Sequence, residues 1–323
     1  MNFRETDLGF NWELQAGDGP ATINTQAVYE IDPQEVQAAW DSREMLSKVD
    51  GVANEITGVV FNPRAEQSLV YMTGWGVDVR RQSAGVDAAL IAAANPEYRV
   101  DVINTSDGIT PGEAKSVQAS RNWADIVMRY TPYLYKLQSR TELVGLHGHS
   151  LGGLTLAHML ARPDSDLDAQ VVTLHDVPGA ADRNPLTFGL YVGVLDTALD
   201  VPHNPEQDVL PALSGAEPDT GPLTALRLAK AQRSLIGAMA QGTLEEALRV
   251  ATARQNSDFY LFHGVYNRGM PVDDTTDMVS QLFASSGIAR NKLKYYTGDS
   301  GHYFTGQSAR MARLIRWAHQ HTL

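Results

Sequence analysis

The sequence contains no cysteine. This absence excludes disulfide scaffolds, thiolate zinc sites, iron–sulfur clusters and a cysteine nucleophile. Basic residues are also scarce: 26 Lys and Arg stand against 38 Asp and Glu, which gives a formal net charge of −12. Because nucleic acids and anionic membranes both require a basic protein face, this balance argues against either as a partner.

Long apolar runs are missing as well. No stretch approaches roughly 18 consecutive apolar residues, so we expect no integral membrane segment. The first residues lack the basic and apolar regions of a signal peptide, which predicts a cytoplasmic protein unless a signal has been removed. The 323 residues are enough to bury a large core without a disulfide or a metal.

Strand-like and helix-like segments alternate along most of the chain. From about Glu55, short apolar runs that predict strands are separated by amphipathic stretches, the longest of which predicts a helix over Glu113–Leu137. Such alternation predicts an α/β protein with a mostly parallel, doubly wound sheet and helices on both faces. The alternation stops at 181–256, where scattered Pro and Gly separate three apolar segments that predict helices: Leu186–Leu199, Leu223–Ala240 and Leu244–Ala253. We predict an N-terminal arm over 1–54, an α/β core over 55–180 and 257–323, and a helical cap inserted at 181–256. Within the arm, the sequence predicts a weak strand at Phe10–Leu14 and a helix after Pro33.

The segment Glu142–Leu154, ELVGLHGHSLGGL, carries the strongest chemical signal. It contains a G-x-S-x-G pattern centred on Ser150, between an apolar strand and an amphipathic helix. Glycines avoid Cβ clashes in such a tight turn, and the helix that follows aims its N–H groups at the serine. The pattern predicts Ser150 as a nucleophile and the Leu151 N–H as an oxyanion donor. The alternative is a glycine-rich turn that binds phosphate or only connects two elements.

With this motif in its strand–turn–helix context, the chain resembles the α/β-hydrolase superfamily, and GHSLGG is similar to the nucleophile elbow of lipases and esterases. The resemblance covers about residues 55–323. It implies an α/β-hydrolase fold with a helical cap, and a catalytic triad in the order serine, acid, histidine.

The resemblance also implies the general base. His302 follows the last predicted strand in the segment YTGDSGHYF, at the place where the superfamily carries its catalytic histidine. His147 and His149 form an H-x-H pattern, but no third ligand is spaced nearby, so we predict no metal site. His149 directly precedes the serine, and we expect it to line the substrate site.

The acid has several candidates. The usual position in the superfamily follows the penultimate strand, and there the sequence has Asn267, which can orient a histidine but cannot offset its charge. Asp176, at the end of an earlier strand, is our first choice, since some lipases carry their acid there. Asp273 and Asp274 remain alternatives, although their position before a helix also predicts N-capping. Asn267, or no acid at all, remains open too.

The segment Tyr71–Val77 corresponds to the loop after the third strand in the superfamily, which normally carries the second oxyanion donor. Its glycines let the backbone approach a substrate oxygen, and by position we expect the N–H of Trp75 to point there, with the indole as a possible wall of the acyl pocket. The apolar cap favours an apolar substrate.

These features predict a serine hydrolase that cleaves small-molecule or lipid-like carboxylic esters and needs no cofactor. Thioesterase, amidase or phospholipase activity would use the same residues. A non-catalytic binding protein of the same fold is the alternative from a different class; Asn267 supports it, and intact Ser150 and His302 oppose it. The natural substrate and the oligomeric state stay open at this point.

Overall fold

The computed structural model describes residues 11–47, 56–192, 212–219, 232–300 and 308–322. In these ranges ten strands form one sheet: β1 (Asn11–Ala16), β2 (Thr22–Asn24), β3 (Glu44–Met45), β4 (Gly58–Phe61), β5 (Gln67–Met72), β6 (Arg99–Ile103), β7 (Glu142–His149), β8 (Val171–His175), β9 (Asp258–Gly264) and β10 (Leu293–Gly298). The α-helices are α1 (Pro33–Asp41), α2 (Gln82–Ala94), α3 (Pro111–Ser120), α4 (Ala124–Gln138), α5 (Leu151–Leu160), α6 (Pro185–Leu190), α7 (Arg233–Met239), α8 (Leu244–Arg254), α9 (Val272–Ser285) and α10 (Ser308–Thr322).

The sheet is mostly parallel, as the sequence predicts. Its strand order is β2-β1-β10-β9-β8-β7-β5-β6-β4-β3. The strands from β10 to β6 in this order run parallel, and the pairs at both ends are antiparallel. Side chains along β5 alternate between two core clusters, with Leu69 and Tyr71 in one and Val70 and Met72 in the other. The sheet is therefore buried on both faces, which is typical of parallel sheets covered by helices.

The arm contains a strand and a helix close to where its sequence predicts them, after Phe10 and after Pro33. Strand β1 pairs with β10, and β3 pairs with β4 at the opposite end of the sheet. Helix α1 lies between these strands in the sequence, and its Trp40 is buried against α2. A Cβ added to Gly85 of α2 would lie 2.8 Å from the Trp40 ring. The arm therefore completes both ends of the sheet.

The prediction of one long helix over Glu113–Leu137 is wrong. The structure has two helices, and the first ends at Arg121, which takes a left-handed φ of 58° and donates its N–H to the Val117 carbonyl at 2.7 Å. The side chain of Asn122 then accepts the Ala124 N–H at 2.9 Å, which starts the second helix. The apolar periodicity continues across this break, and for that reason it did not reveal the turn.

The predicted cap is described in part. Its predicted helices Leu186–Leu199 and Leu223–Ala240 are represented by α6 and α7, and their residues 193–199 and 223–231 lie outside the described residues. Helix α8 begins at Leu244 as predicted and buries Leu244 and Leu248 in the larger core cluster. The division into arm, core and cap stays a prediction. Within the described ranges, no helix combines the length and apolar character needed to cross a bilayer.

Buried histidines make the stability of this fold sensitive to acid. Burial lowers the pKa of His175 to about 3 and the pKa values of His158, His263 and His319 to about 4, and it also holds the pKa of His147 well below its ordinary value. Unfolded histidines titrate near about pH 6.5, so unfolding takes up protons below that pH. The free energy of unfolding should fall as the pH falls from about 6.5 to 4, by about 1.4 kcal/mol per pH unit for each histidine. Urea unfolding followed by circular dichroism between pH 5 and 8 measures this.

A single variant provides the control for that experiment. The His158 ring stacks on Trp123, with centroids 5.3 Å apart and 12° between the planes. His158→Phe keeps a flat ring there but cannot take up a proton, so its pH dependence below pH 6 should be shallower by about 1.4 kcal/mol per pH unit. A urea midpoint that is equal at pH 5 and pH 7 in the unmodified protein would contradict the prediction.

Candidate active site

Ser150 lies on a tight turn between β7 and α5. It has φ 51° and ψ −118°, a left-handed φ that residues with a side chain rarely adopt. Its N–H donates to the His175 carbonyl at 2.9 Å, and its carbonyl accepts the Leu154 N–H at 3.0 Å. These bonds hold the turn between the neighbouring strand and the first turn of the helix.

The glycines around Ser150 are required by close packing. A Cβ added to Gly148 would lie 2.6 Å from the Gly153 Cα, and a Cβ added to Gly152 would overlap the Met72 carbonyl. The helix therefore starts in direct contact with the end of β5. This contact explains the glycine spacing in GHSLGG without reference to chemistry.

The Ser150 hydroxyl is buried, and within the described ranges no hydrogen bond reaches it. The loop after β5 lies beside it, because a Cβ added to Gly74 would be 3.4 Å from the Ser150 Cβ. Leu151, the predicted oxyanion donor, is the first residue of α5, where helix N–H groups have no partner within the helix. Ser150 thus sits between a helix N-terminus and a glycine-containing loop.

Trp75 follows Gly74 in that loop and is buried. Its indole Nε1–H donates to the Gln232 side chain, which precedes α7. The indole therefore connects the loop beside Ser150 to the predicted cap. Sequence reasoning did not single out Gln232, since neither neighbouring residues nor periodicity mark it.

Asp176 follows β8 directly and is fully buried, with a left-handed φ of 44°. Its Oδ1 accepts the Gly264 N–H at 2.8 Å and the Asn267 Nδ2–H at 3.3 Å. His149 and His175 are register partners in β7 and β8, so the residues that follow them, Ser150 and Asp176, leave the sheet side by side. Gly264 was not predicted from the sequence, although it could have been found as the last residue of β9, the strand next to β8.

The other acid candidates have different surroundings. Asn267 is buried and contacts Asp176 directly, so it lies beside that carboxylate and not at a separate position. Asp273 and Asp274 lie in the first turn of α9, whose N-cap is Pro271, so the predicted capping role is wrong. The Asp274 carboxylate instead pairs with Arg183 at the start of the cap. Acidic groups in a first turn still complement the helix dipole.

His263 is a second histidine near Asp176, and its hydrogen bonds fix its tautomer. Its Nε2–H donates to the Met270 carbonyl at 2.7 Å, and its Nδ1 accepts from the Thr275 hydroxyl at 3.3 Å. The unprotonated Nδ1 therefore faces Asp176 Oδ1 at 3.7 Å. Burial lowers the pKa of His263 to about 4, so it is neutral at pH 7 and forms no ion pair with Asp176.

The remaining predicted residues fall in two places. His149 is buried, and a Cβ added to Gly74 would lie 2.9 Å from its Nδ1, so the ring packs against the loop beside Ser150. His147 lies deeper, with Nδ1 at 2.8 Å from the Thr173 hydroxyl and Nε2 at 3.0 Å from His319 Nε2. Both of its nitrogens are engaged within the protein. His302, the predicted base, lies outside the described residues.

This architecture is similar to that of known structures, although the sequence is not similar to that of known families. No family model and no curated protein sequence matches the chain. Many solved structures are similar to it, among them the following three. A bromoperoxidase from Bacillus anthracis has a TM-score of 0.54 at 14% identity, over 87% of this chain and 100% of that one. An esterase from Pyrococcus furiosus has a TM-score of 0.52 at 11% identity, over 81% of this chain and 87% of that one. The 2-hydroxy-6-oxo-6-phenylhexa-2,4-dienoate hydrolase from a Rhodococcus species has a TM-score of 0.51 at 13% identity, over 82% of this chain and 95% of that one.

Identities this low establish similarity of fold alone. The mostly parallel sheet and the helices around it agree with that similarity. The chain therefore has the α/β-hydrolase fold, as its sequence predicts.

Proposed function

We propose that the protein is a serine hydrolase that cleaves carboxylic esters, with Ser150 as its nucleophile. The observation that carries this proposal is the turn at Ser150: a buried serine in a left-handed conformation, at a helix N-terminus and beside the strand end that bears Asp176. Backbone strain of this kind costs about 1–3 kcal/mol and is typical of reactive positions. The fold itself hosts several chemistries, so the proposal rests on the site.

Each catalytic role has a candidate. His302 would take the proton of the Ser150 hydroxyl during attack and later return it to the leaving alkoxide. Strand β10 runs parallel to β9 and ends at Gly298, so the chain leaves the sheet at the Asp176 edge shortly before His302 in the sequence. Asp176 would hold the imidazole in the correct tautomer and stabilise its charged form.

The oxyanion would be held by backbone N–H groups. Leu151 at the start of α5 and Trp75 in the adjacent loop are the proposed donors, and the closeness of Gly74 to Ser150 supports this pairing. Water activated by His302 would then hydrolyse the acyl-enzyme. None of these steps requires a cofactor.

The surroundings favour an apolar substrate. Apolar side chains of the cap and of the segments after β8 and β9 meet around a very small cavity, and among them are Val177, Phe188, Met239 and Met270. The Arg183–Asp274 ion pair lies in the same lining. This apolar contact between cap and core, together with the buried Trp75 beside Ser150, supports an ester with an apolar acyl or alcohol group.

Two measurements test the proposal. A fluorophosphonate probe should form one adduct, and peptide mass mapping should locate it on Ser150. Ser165 is an internal control, because it is another buried serine whose hydroxyl has no hydrogen bond within the described ranges, and it should stay unmodified. A folded sample that neither reacts with the probe nor hydrolyses esters would favour a binding protein.

The substrate class is tested with p-nitrophenyl esters of increasing acyl length. We expect turnover to rise with chain length at first, because added methylene groups bury apolar surface against the apolar side chains of the cap. A strict preference for the shortest acyl chains would exclude a lipase-like specificity while leaving ester hydrolysis intact.

A further inference from the structure

We infer that Asn267 is a positioning residue, which acts on the reaction by holding Asp176 through the amide Nδ2. This inference rests on the proposed function, since it assigns a partner to the proposed triad acid. Asn267 does not touch the substrate in this scheme. It determines how the carboxylate of Asp176 is presented.

The orientation of the Asn267 amide is fixed by the backbone around it. Its Oδ1 accepts the Met270 N–H at 3.0 Å, so its Nδ2 is turned toward Asp176 Oδ1 at 3.3 Å. The Asn267 N–H donates to the Gly264 carbonyl at 3.1 Å, and this bond closes the loop after β9. One end of the side chain meets a donor and the other meets an acceptor, and the amide satisfies both without a change of protonation state.

Other described groups near Asp176 are a backbone N–H, a histidine ring and a phenol. Gly264 donates its N–H to the same Oδ1 at 2.8 Å. His263 on β9 faces that oxygen with an unprotonated nitrogen, which cannot donate a hydrogen bond to it. The phenol of Tyr295 on β10 has its pKa raised by burial, with the charge of Asp176 as a further cause. Gly264 and Asn267 thus both donate to Oδ1, and together they set the orientation of the carboxylate.

Asn267→Ala tests the role directly. The variant keeps the Gly264 bond and loses the amide, so kcat should fall about tenfold or more while KM changes less than twofold, because a hydrogen bond to a charged group is lost from the transition state. Asn95→Ala is the matched control. Asn95 is an equally buried amide that donates to the Ile91 carbonyl at 2.8 Å at the end of α2, and its removal should lower stability without changing kcat.

Asn267→Asp provides a readout that a structural role would not move. Near pH 6 the introduced carboxyl and Asp176 can share a proton, so the new side chain still donates to Oδ1. When both groups ionise at higher pH, that donor is lost and the two charges repel. The ratio of variant to wild-type kcat should therefore fall at least tenfold between pH 6 and pH 9.

The outcomes separate this inference from the proposed function. If the wild type reacts with fluorophosphonate but folded Asn267→Ala matches its kcat, or the Asn267→Asp ratio is independent of pH, the positioning role is wrong and the serine hydrolase stands. If the folded wild type does not react at all, the proposed function fails and this inference fails with it.

Discussion

Alanine in place of Ser150 is expected to lower kcat for ester hydrolysis by about 10⁶-fold, to the level that oxyanion donors and binding supply alone. The substitution removes the only atom proposed to attack the substrate. Within the described ranges the Ser150 hydroxyl makes no hydrogen bond, so its loss should leave the fold intact. Steady-state kinetics on a p-nitrophenyl ester, together with the melting temperature, measure both effects.

Ser165→Ala is the control for that variant. Its hydroxyl is likewise buried and without a hydrogen bond in the described part of the chain, but it lies in the loop after α5, away from the turn. This variant should retain the kcat of the wild type. Residual activity above a few per cent in folded Ser150→Ala would show that the reaction does not proceed through an acyl-enzyme on this serine.

Asparagine in place of Asp176 is expected to lower kcat by about 10³- to 10⁴-fold. The new side chain would turn its oxygen toward the N–H of Gly264 and the amide of Asn267, since both are donors. Its own NH₂ group would then face the imidazole and favour the wrong tautomer, and the charge that stabilises an imidazolium would be gone. Presteady-state acylation rates would show whether the loss is in the attack itself.

Asp273→Asn and Asp274→Asn separate this acid from its alternatives. Both residues lie in the first turn of α9, and Asp274 pairs with Arg183, so their loss should reduce stability slightly and leave kcat within a few-fold of wild type. If Asp274→Asn instead caused the large loss and Asp176→Asn did not, the assignment of the acid would be wrong.

The local part of this fold could be predicted from the sequence. The turn at Ser150 depends on residues next to one another, and the clashes that require Gly148 and Gly152 occur within the same strand, turn and helix and at the end of β5. The strand–helix alternation likewise predicts a mostly parallel sheet. Periodicity could not reveal the break at Arg121, because the apolar face of α3 continues into α4.

Contacts between distant segments could not be predicted in the same way. The bond between Asn267 and Asp176 joins loops 91 residues apart, and nothing near Asn267 in the sequence shows that an aspartate faces it. The resemblance to hydrolases indicated a departure from the usual acid at Asn267, whereas the structure shows that its amide donates a hydrogen bond to Asp176, which follows the neighbouring strand. The same limit applied to Gln232 and Trp75, which lie 157 residues apart.

The arm has a consequence for how the protein is made. Trp12 in β1 pairs with Gly298 in β10, so β1 lacks this partner until β10, far later in the chain, has been synthesised. Until then β9 forms an unpaired edge of the sheet. An unpaired strand edge is a template for association between nascent chains. Closing a loop of this length also makes the step slow. Completion of the sheet therefore comes late in folding, and chaperone dependence of the yield in a cell-free synthesis would reveal it.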